Sequence, residues 1–261
     1  MNKKKVLLLA IATWVVFGFI LFFSREYGTS VTLSEPIKLE NGLLKDNIPQ
    51  IALVNGWTTD IVNVWEEPST ASANIGAINF NENISYYKCS DGWIGISNDD
   101  YPQGYIESKY ISDNKIDFVD ILAPSNNGYK SYMSYKAISS PSSPQYRLQS
   151  NFAYTGKFGI RMVEGRYCIA VGTGFGAKVG TYLDLILNNG TVVQCIVGDI
   201  KSDAHTLADN MTTAHNGCVA EFIVDMNYLN PKAKQMGNIS ACCSEWNSSL
   251  KTVRVYKKSI F

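Results

Sequence analysis

The residues best suited to chemistry lie in Gly198-Asp199-Ile200-Lys201-Ser202-Asp203-Ala204-His205. On an extended chain Val193, Cys195, Val197 and Asp199 share one face, so a carboxylate ends an otherwise apolar row. Desolvation disfavours its charged form and raises its pKa, the adjustment that makes an aspartic acid useful as a general acid. Aspartate at a strand end is also an ordinary turn-former, so a structural and a catalytic reading of Asp199 both stand. Asp203 and His205 follow in the same polar loop, where the histidine could orient a carboxylate or a hydroxyl, or simply be solvated. A later row, Val219, Glu221, Ile223 and Asp225, carries two more carboxylates, and Glu221 is expected to pair with Arg254 across strands. Asp184 reads as a solvent-facing strand position. Cys168, Cys195 or Cys218 with His205 or His215 would be a thiol nucleophile, but none opens a helix or sits in a recognisable protease context, which favours packing or disulfides.

These residues need strands to position them. Thr181 to Leu187 and Thr191 to Val197 are β-branched and aliphatic runs separated by Asn188-Asn189-Gly190, a hairpin signal. Ahead of them Glu164 to Gly172 reads as a strand running into Gly172-x-Gly174-x-Gly176. That loop lacks the Gly-Lys-Ser/Thr ending of a phosphate loop, so its glycines are expected to serve backbone freedom. Gly217 to Asp225 reads as another strand, 226–237 as a helical turn or two around Pro231 closing at Gly237, and Thr252 to Tyr256 as a last strand.

Lys plus Arg and Asp plus Glu both number 23, so no basic excess points to nucleic acid. Charged residues make up 18% and aromatic residues 12%, which fits β-rich domains with aromatic surfaces and not disorder. The six cysteines contain no Cys-x-x-Cys and only two histidines accompany them, so neither zinc nor any other cofactor is expected; disulfides are open, with fifteen complete pairings. Three lysines precede Val6 to Phe23, an uncharged apolar run of 18 residues followed by no small-x-small cleavage pattern. The expected order is a cytoplasmic tail (1–5), a retained single-pass anchor (6–23), a stalk (24–56), a first β domain (57–113), a Ser/Pro-rich linker (114–144) and a second β domain (145–261), with the bulk outside the membrane.

Within 57–113, Ile61-Val-Asn-Val-Trp65, Pro68-Ser69, Gly92-Trp93 and Gly104-Tyr105-Ile106 come as short alternating segments spaced by turns. Their order resembles the bacterial SH3-type domain, which implies a small barrel attached to cell-wall peptide or glycan. Trp93 is expected in the barrel core, whereas Trp65, beside a polar turn and in place of the arginine often found there, is the candidate for wall contact. The C-terminal residues resemble the three-aspartate (3D) domain, a six-stranded double-psi β-barrel of bacterial cell-wall proteins. The match rests on Gly180-Thr181, the Asn-Gly turn, Gly198-Asp199-Ile-Lys-Ser-Asp203 and Gly217 to Asp225, although Ile200-Lys201 replaces the family's threonine-glycine.

That resemblance implies cleavage of peptidoglycan glycan strands. One aspartic acid, matched by Asp199, would protonate the glycosidic oxygen and then act as base while the muramic C6 hydroxyl attacks C1. Because that hydroxyl is internal, a second catalytic carboxylate is not required, in contrast to a hydrolase. Asp203 would stabilise charge near C1 or bind sugar, with His205, Asp225 and Trp65 as further substrate contacts. The alternative is a non-catalytic wall-binding or scaffold protein, since one barrel can serve several functions. The mainly β fold class is common to both.

Overall fold

The computed structural model describes residues 52–89 and 92–261. The tail, the anchor over 6–23 and nearly all of the stalk fall outside the described residues. Among the described residues no helix is long and apolar enough to cross a membrane.

The first sheet has seven strands: β1 (Val54–Thr58), β2 (Val62–Trp65), β3 (Asn74–Ile78), β4 (Asn83–Lys88), β5 (Trp93–Ile96), β6 (Gly104–Glu107) and β7 (Ile111–Ser112). They run in the order β3-β2-β6-β5-β4-β1-β7. Alternation places Val62, Val64, Ile78, Ile84, Tyr86, Ile94, Ile96 and Ile106 inside. Trp93, expected in this core, is only half-buried.

The segment read as a linker is not free chain. It contributes β8 (Phe118–Leu122) and β9 (Tyr132–Ser134), which pair with strands more than 80 residues away in sequence. Its last serine, Ser143, then caps α1 (Pro144–Asn151) by accepting from the Tyr146 N–H, with Pro144 at the first helical position.

β10 (Tyr154–Thr155), β11 (Arg161–Val163), β12 (Arg166–Val171), β13 (Thr181–Leu187), β14 (Val192–Ile200), β15 (Glu221–Val224) and β16 (Leu250–Ser259) complete a second sheet of nine strands. Its path is β10-β11-β12-β14-β13-β16-β8, and β15 branches from β12 to reach β9. Among the described residues this path stays open. The expected six-stranded closed barrel is therefore replaced by a nine-stranded mixed sheet, because β8 and β9 extend it.

The β13–β14 hairpin forms where the Asn-Asn-Gly turn predicts it. Leu187 N donates to Thr191 O at 2.9 Å, and Gly190 takes the positive φ of 87° that such a turn needs. α2 (Pro231–Met236) also forms as the sequence indicates, with Gly237 as its left-handed cap.

Both faces of β13 are covered. Leu183, Leu185 and Leu187 enter one core, while Tyr182 enters a second core shared with Leu148 of α1 and Phe80 of the first sheet's chain. Asp184 is consequently buried rather than solvent-facing. It pairs with the fully buried Arg166 guanidinium and accepts from the Tyr256 hydroxyl at 2.7 Å. The same guanidinium lies over the rings of Phe80 and Tyr182 at 4.9 and 4.8 Å. Asp60 of the first sheet's chain accepts from the Tyr182 hydroxyl at 3.2 Å and meets Lys258 at 3.3 Å. The two sheets thus share a buried seam within one compact unit, Ile51–Phe261.

Candidate functional site

The parallel pair β12 and β14 ends with its carboxyl termini side by side, and most of the chemistry-bearing residues gather there. Val171 O accepts from Lys201 N at 2.9 Å, and beyond the strand ends the Thr173 hydroxyl donates to Asp203 at 2.5 Å.

Asp199 does not occupy the face that simple alternation gives it. Ile169 pairs with Val197, but Ala170 pairs with Asp199, so Gly198 is an extra residue, a β-bulge. The slip of one residue moves Asp199 off the Val193, Cys195, Val197 row and onto the face of Ile196 and Cys168, towards α1. Glycine fits closely here: a Cβ at 198 would lie 2.6 Å from Ile223 Cδ1 and 3.2 Å from Cys168 Cβ, so the isoleucine would have to shift.

On its new face Asp199 is half-buried. Desolvation pushes its pKa up, and the nearby Glu221 charge adds to the rise; a hydrogen bond from Ile200 N at 2.9 Å, another from the Gln145 side chain and the Lys201 charge act the other way. Glu221 stands across Ala170 from Asp199, because Ala170 pairs with Asp199 on one side and Glu221 on the other. Glu221 meets Lys201, not Arg254. Its carboxylate is 3.3 Å from the buried Lys201 ammonium and accepts from the Ser131 hydroxyl at 3.1 Å, while Lys201 also donates to Thr213. Arg254 instead grips Asp120 of β8 with two hydrogen bonds at 2.7 and 2.8 Å.

Asp203 opens a 3₁₀ turn, Asp203–His205, and is exposed on the rim, as is His205. The His205 carbonyl accepts from Ala214 N, so the backbone of this turn is tied to the loop that holds Thr213. Asp225 is not part of this group. It follows the opposite end of β15 and is buried there, accepting from the Thr155 hydroxyl at 3.3 Å and from Asn227 N at 3.0 Å. A cavity of ≈ 730 Å³ opens at that end, lined by Thr155, Phe158, Tyr228, Asn230 and Pro231 among others.

Trp65 lies on the first sheet, half-buried at the end of β2, where it pairs with Asn74 and Tyr105. A smaller cavity of ≈ 300 Å³ in that sheet is lined by Trp93, Tyr86, Lys88 and Cys89, without Trp65.

The glycine-rich loop serves close packing more than backbone freedom. A Cβ on Gly172 would lie 2.0 Å from Asn210 O and one on Gly174 2.5 Å from Asp209 O, and only Gly176 of the three has positive φ. The loop therefore braces the 201–220 segment that carries Asp203 and Thr213. All six cysteines are free thiols; Cys168, Cys195 and Cys218 are buried, and burial pushes the Cys168 pKa up to about 12, which makes it a poor nucleophile.

Sequence reasoning missed Lys201, Ser131 and the role of Gln145. The glycine inside a strand pattern at 198 was the available signal for the bulge that brings Asp199 towards them. No curated protein and no solved structure matches the chain. Residues 60–112 match the bacterial SH3 domain family, so the seven-stranded sheet contains a bacterial SH3 domain.

Proposed function

We propose that the protein binds bacterial peptidoglycan through its SH3 domain and acts on the glycan with Asp199, as a lytic transglycosylase held outside the cell by its N-terminal apolar segment. The single supporting observation is the half-buried carboxyl of Asp199, shifted towards its protonated form at the strand ends of a sheet joined to a wall-type domain. A neutral aspartic acid can protonate the glycosidic oxygen as the C1–O bond breaks. The resulting aspartate then takes the proton of the muramic C6 hydroxyl as that oxygen closes on C1, leaving a 1,6-anhydro ring and no net proton change. Asp203 on the rim would face the developing positive charge.

The test is incubation of the full-length protein with purified sacculi, followed by mass spectrometry of the soluble fraction. Release of 1,6-anhydro muropeptides supports the reading. A second reading, a non-catalytic wall-binding protein, is favoured by the larger cavity lying at Thr155–Pro231 and not at Asp199. It predicts co-sedimentation with sacculi and no released product between about pH 4 and 8, the range over which a tuned carboxyl titrates.

A further inference from the structure

Two carboxylates, Asp199 and Glu221, flank Ala170 with the Lys201 ammonium close by, and the glycan-cleavage reading uses only one of them. Asp199 and Glu221 stand on the two strands flanking Ala170, in register with it on both sides. Two ladder spacings put their backbones about 10 Å apart, and their side chains rise from the same face over a methyl group. Glu221 is fixed from two directions, by the Ser131 hydroxyl at 3.1 Å and the Lys201 ammonium at 3.3 Å. Lys201 is itself buried and anchored on Thr213.

We infer that Glu221 is a positioning residue for Asp199: its carboxylate, fixed by Lys201 and Ser131 on the strand across Ala170, is a negative charge that favours the neutral form of the Asp199 carboxyl. The inference rests on the reading of Asp199 as the acid. It adds that the acid is set by a partner carboxylate as well as by burial.

The chemistry follows from charge. A fixed negative charge beside a partly desolvated carboxyl makes ionising that carboxyl more costly, and Glu221 is fixed there by a cation at ion-pair distance. The other groups around Asp199 are neutral or engaged: α1 offers the Gln145 amide, β12 offers Ala170 and Cys168, and Asp203 beyond the strand end is bonded to Thr173. Lys201, two residues further on and just past the end of β14, opposes Glu221 in its effect on Asp199, and its ion pair with Glu221 moderates that opposition.

Titration of the Asp199 carboxyl carbon by ¹³C NMR, in the full-length chain labelled at aspartate and assigned with Asp199→Asn, tests this. Glu221→Gln removes the negative charge and frees the ammonium, so the Asp199 midpoint should fall by about one pH unit, a tenfold loss of proton affinity. Lys201→Gln should move it upwards, and Glu221→Asp, which keeps the charge, should leave most of the wild-type midpoint. A midpoint unmoved by Glu221→Gln in a variant that still melts cooperatively overturns the inference, as does an equal fall in Glu221→Asp. Should Glu221→Gln unfold the protein, Lys201→Gln alone decides, because no upward movement there also overturns it. The titration does not depend on turnover. A shifted midpoint without product from sacculi keeps the pair and removes the transglycosylase, and product release with an unmoved midpoint does the reverse.

Discussion

Phe80→Ala should unfold more than the sheet that carries it. Phe80 leaves the end of the SH3 domain's β3 and inserts into the core of the nine-stranded sheet, where its ring meets Tyr256 at 4.6 Å and Tyr182 at 5.5 Å. The Arg166 guanidinium lies 4.9 Å from its centroid. Truncating a buried phenylalanine costs about 3–5 kcal/mol. The site cannot collapse readily, because a buried ion pair and two tyrosines border it, so the expected cost is about 4 kcal/mol. For a folded unit of this size each kcal/mol lowers Tm by about 2–4 °C, which gives a fall of about 8–16 °C. Differential scanning calorimetry measures the drop, and hydrogen exchange with peptide-level mass spectrometry shows where protection is lost. Exchange should quicken in β13 and β16 as well as in β2 to β4. A loss of protection confined to the SH3 strands, or a drop below about 1 kcal/mol, would refute the shared seam.

Three further outcomes follow from particular contacts. Asp184→Ala removes the carboxylate bonded to the buried Arg166 guanidinium and should cost about 3–5 kcal/mol, whereas Arg166→Met with Asp184→Leu should cost far less; denaturant melts of the single and double variants measure the difference. Gly198→Ala must push Ile223 or reset the bulge, since its Cβ would sit 2.6 Å from Ile223 Cδ1, and about 1–3 kcal/mol of stability should be lost together with the Asp199 environment, as urea unfolding and NMR would record. Asp199 has a raised pKa when folded, so the native state holds its proton more tightly than the unfolded chain and this group's contribution to stability declines as pH rises from its unfolded value of about 3.9 through its folded one. Asp199→Asn should abolish that decline, so denaturant melts across this range should lose that part of their pH dependence.

What the sequence reveals is what is local. The β13–β14 hairpin needs only two alternating runs and an Asn-Gly turn, and α2 needs only Pro231 and Gly237 at its ends. The SH3 domain is legible because its short motifs come in order over some 50 residues. The errors lie where a distant segment decides the outcome. Asp184 reads as solvent-facing because nothing near it in sequence covers its face; the cover comes from Phe80, about 100 residues earlier, and from Tyr256, about 70 later. The segment 114–144 looks like a linker because the partners of β8 and β9 lie on β16 and β15. Alternation puts Asp199 on the wrong face, since counting by twos passes over a bulge. The Glu221 and Lys201 pair joins the first residue of the 201–220 loop to the first residue of the strand after it, which no spacing rule discloses.

The most direct test of the proposed role compares full-length wild type with Asp199→Asn on purified sacculi, reading 1,6-anhydro muropeptides by mass spectrometry and wall binding by co-sedimentation. Loss of product in the variant with binding retained is the predicted result. Absence of product from the wild type, or equal product from both, would contradict it.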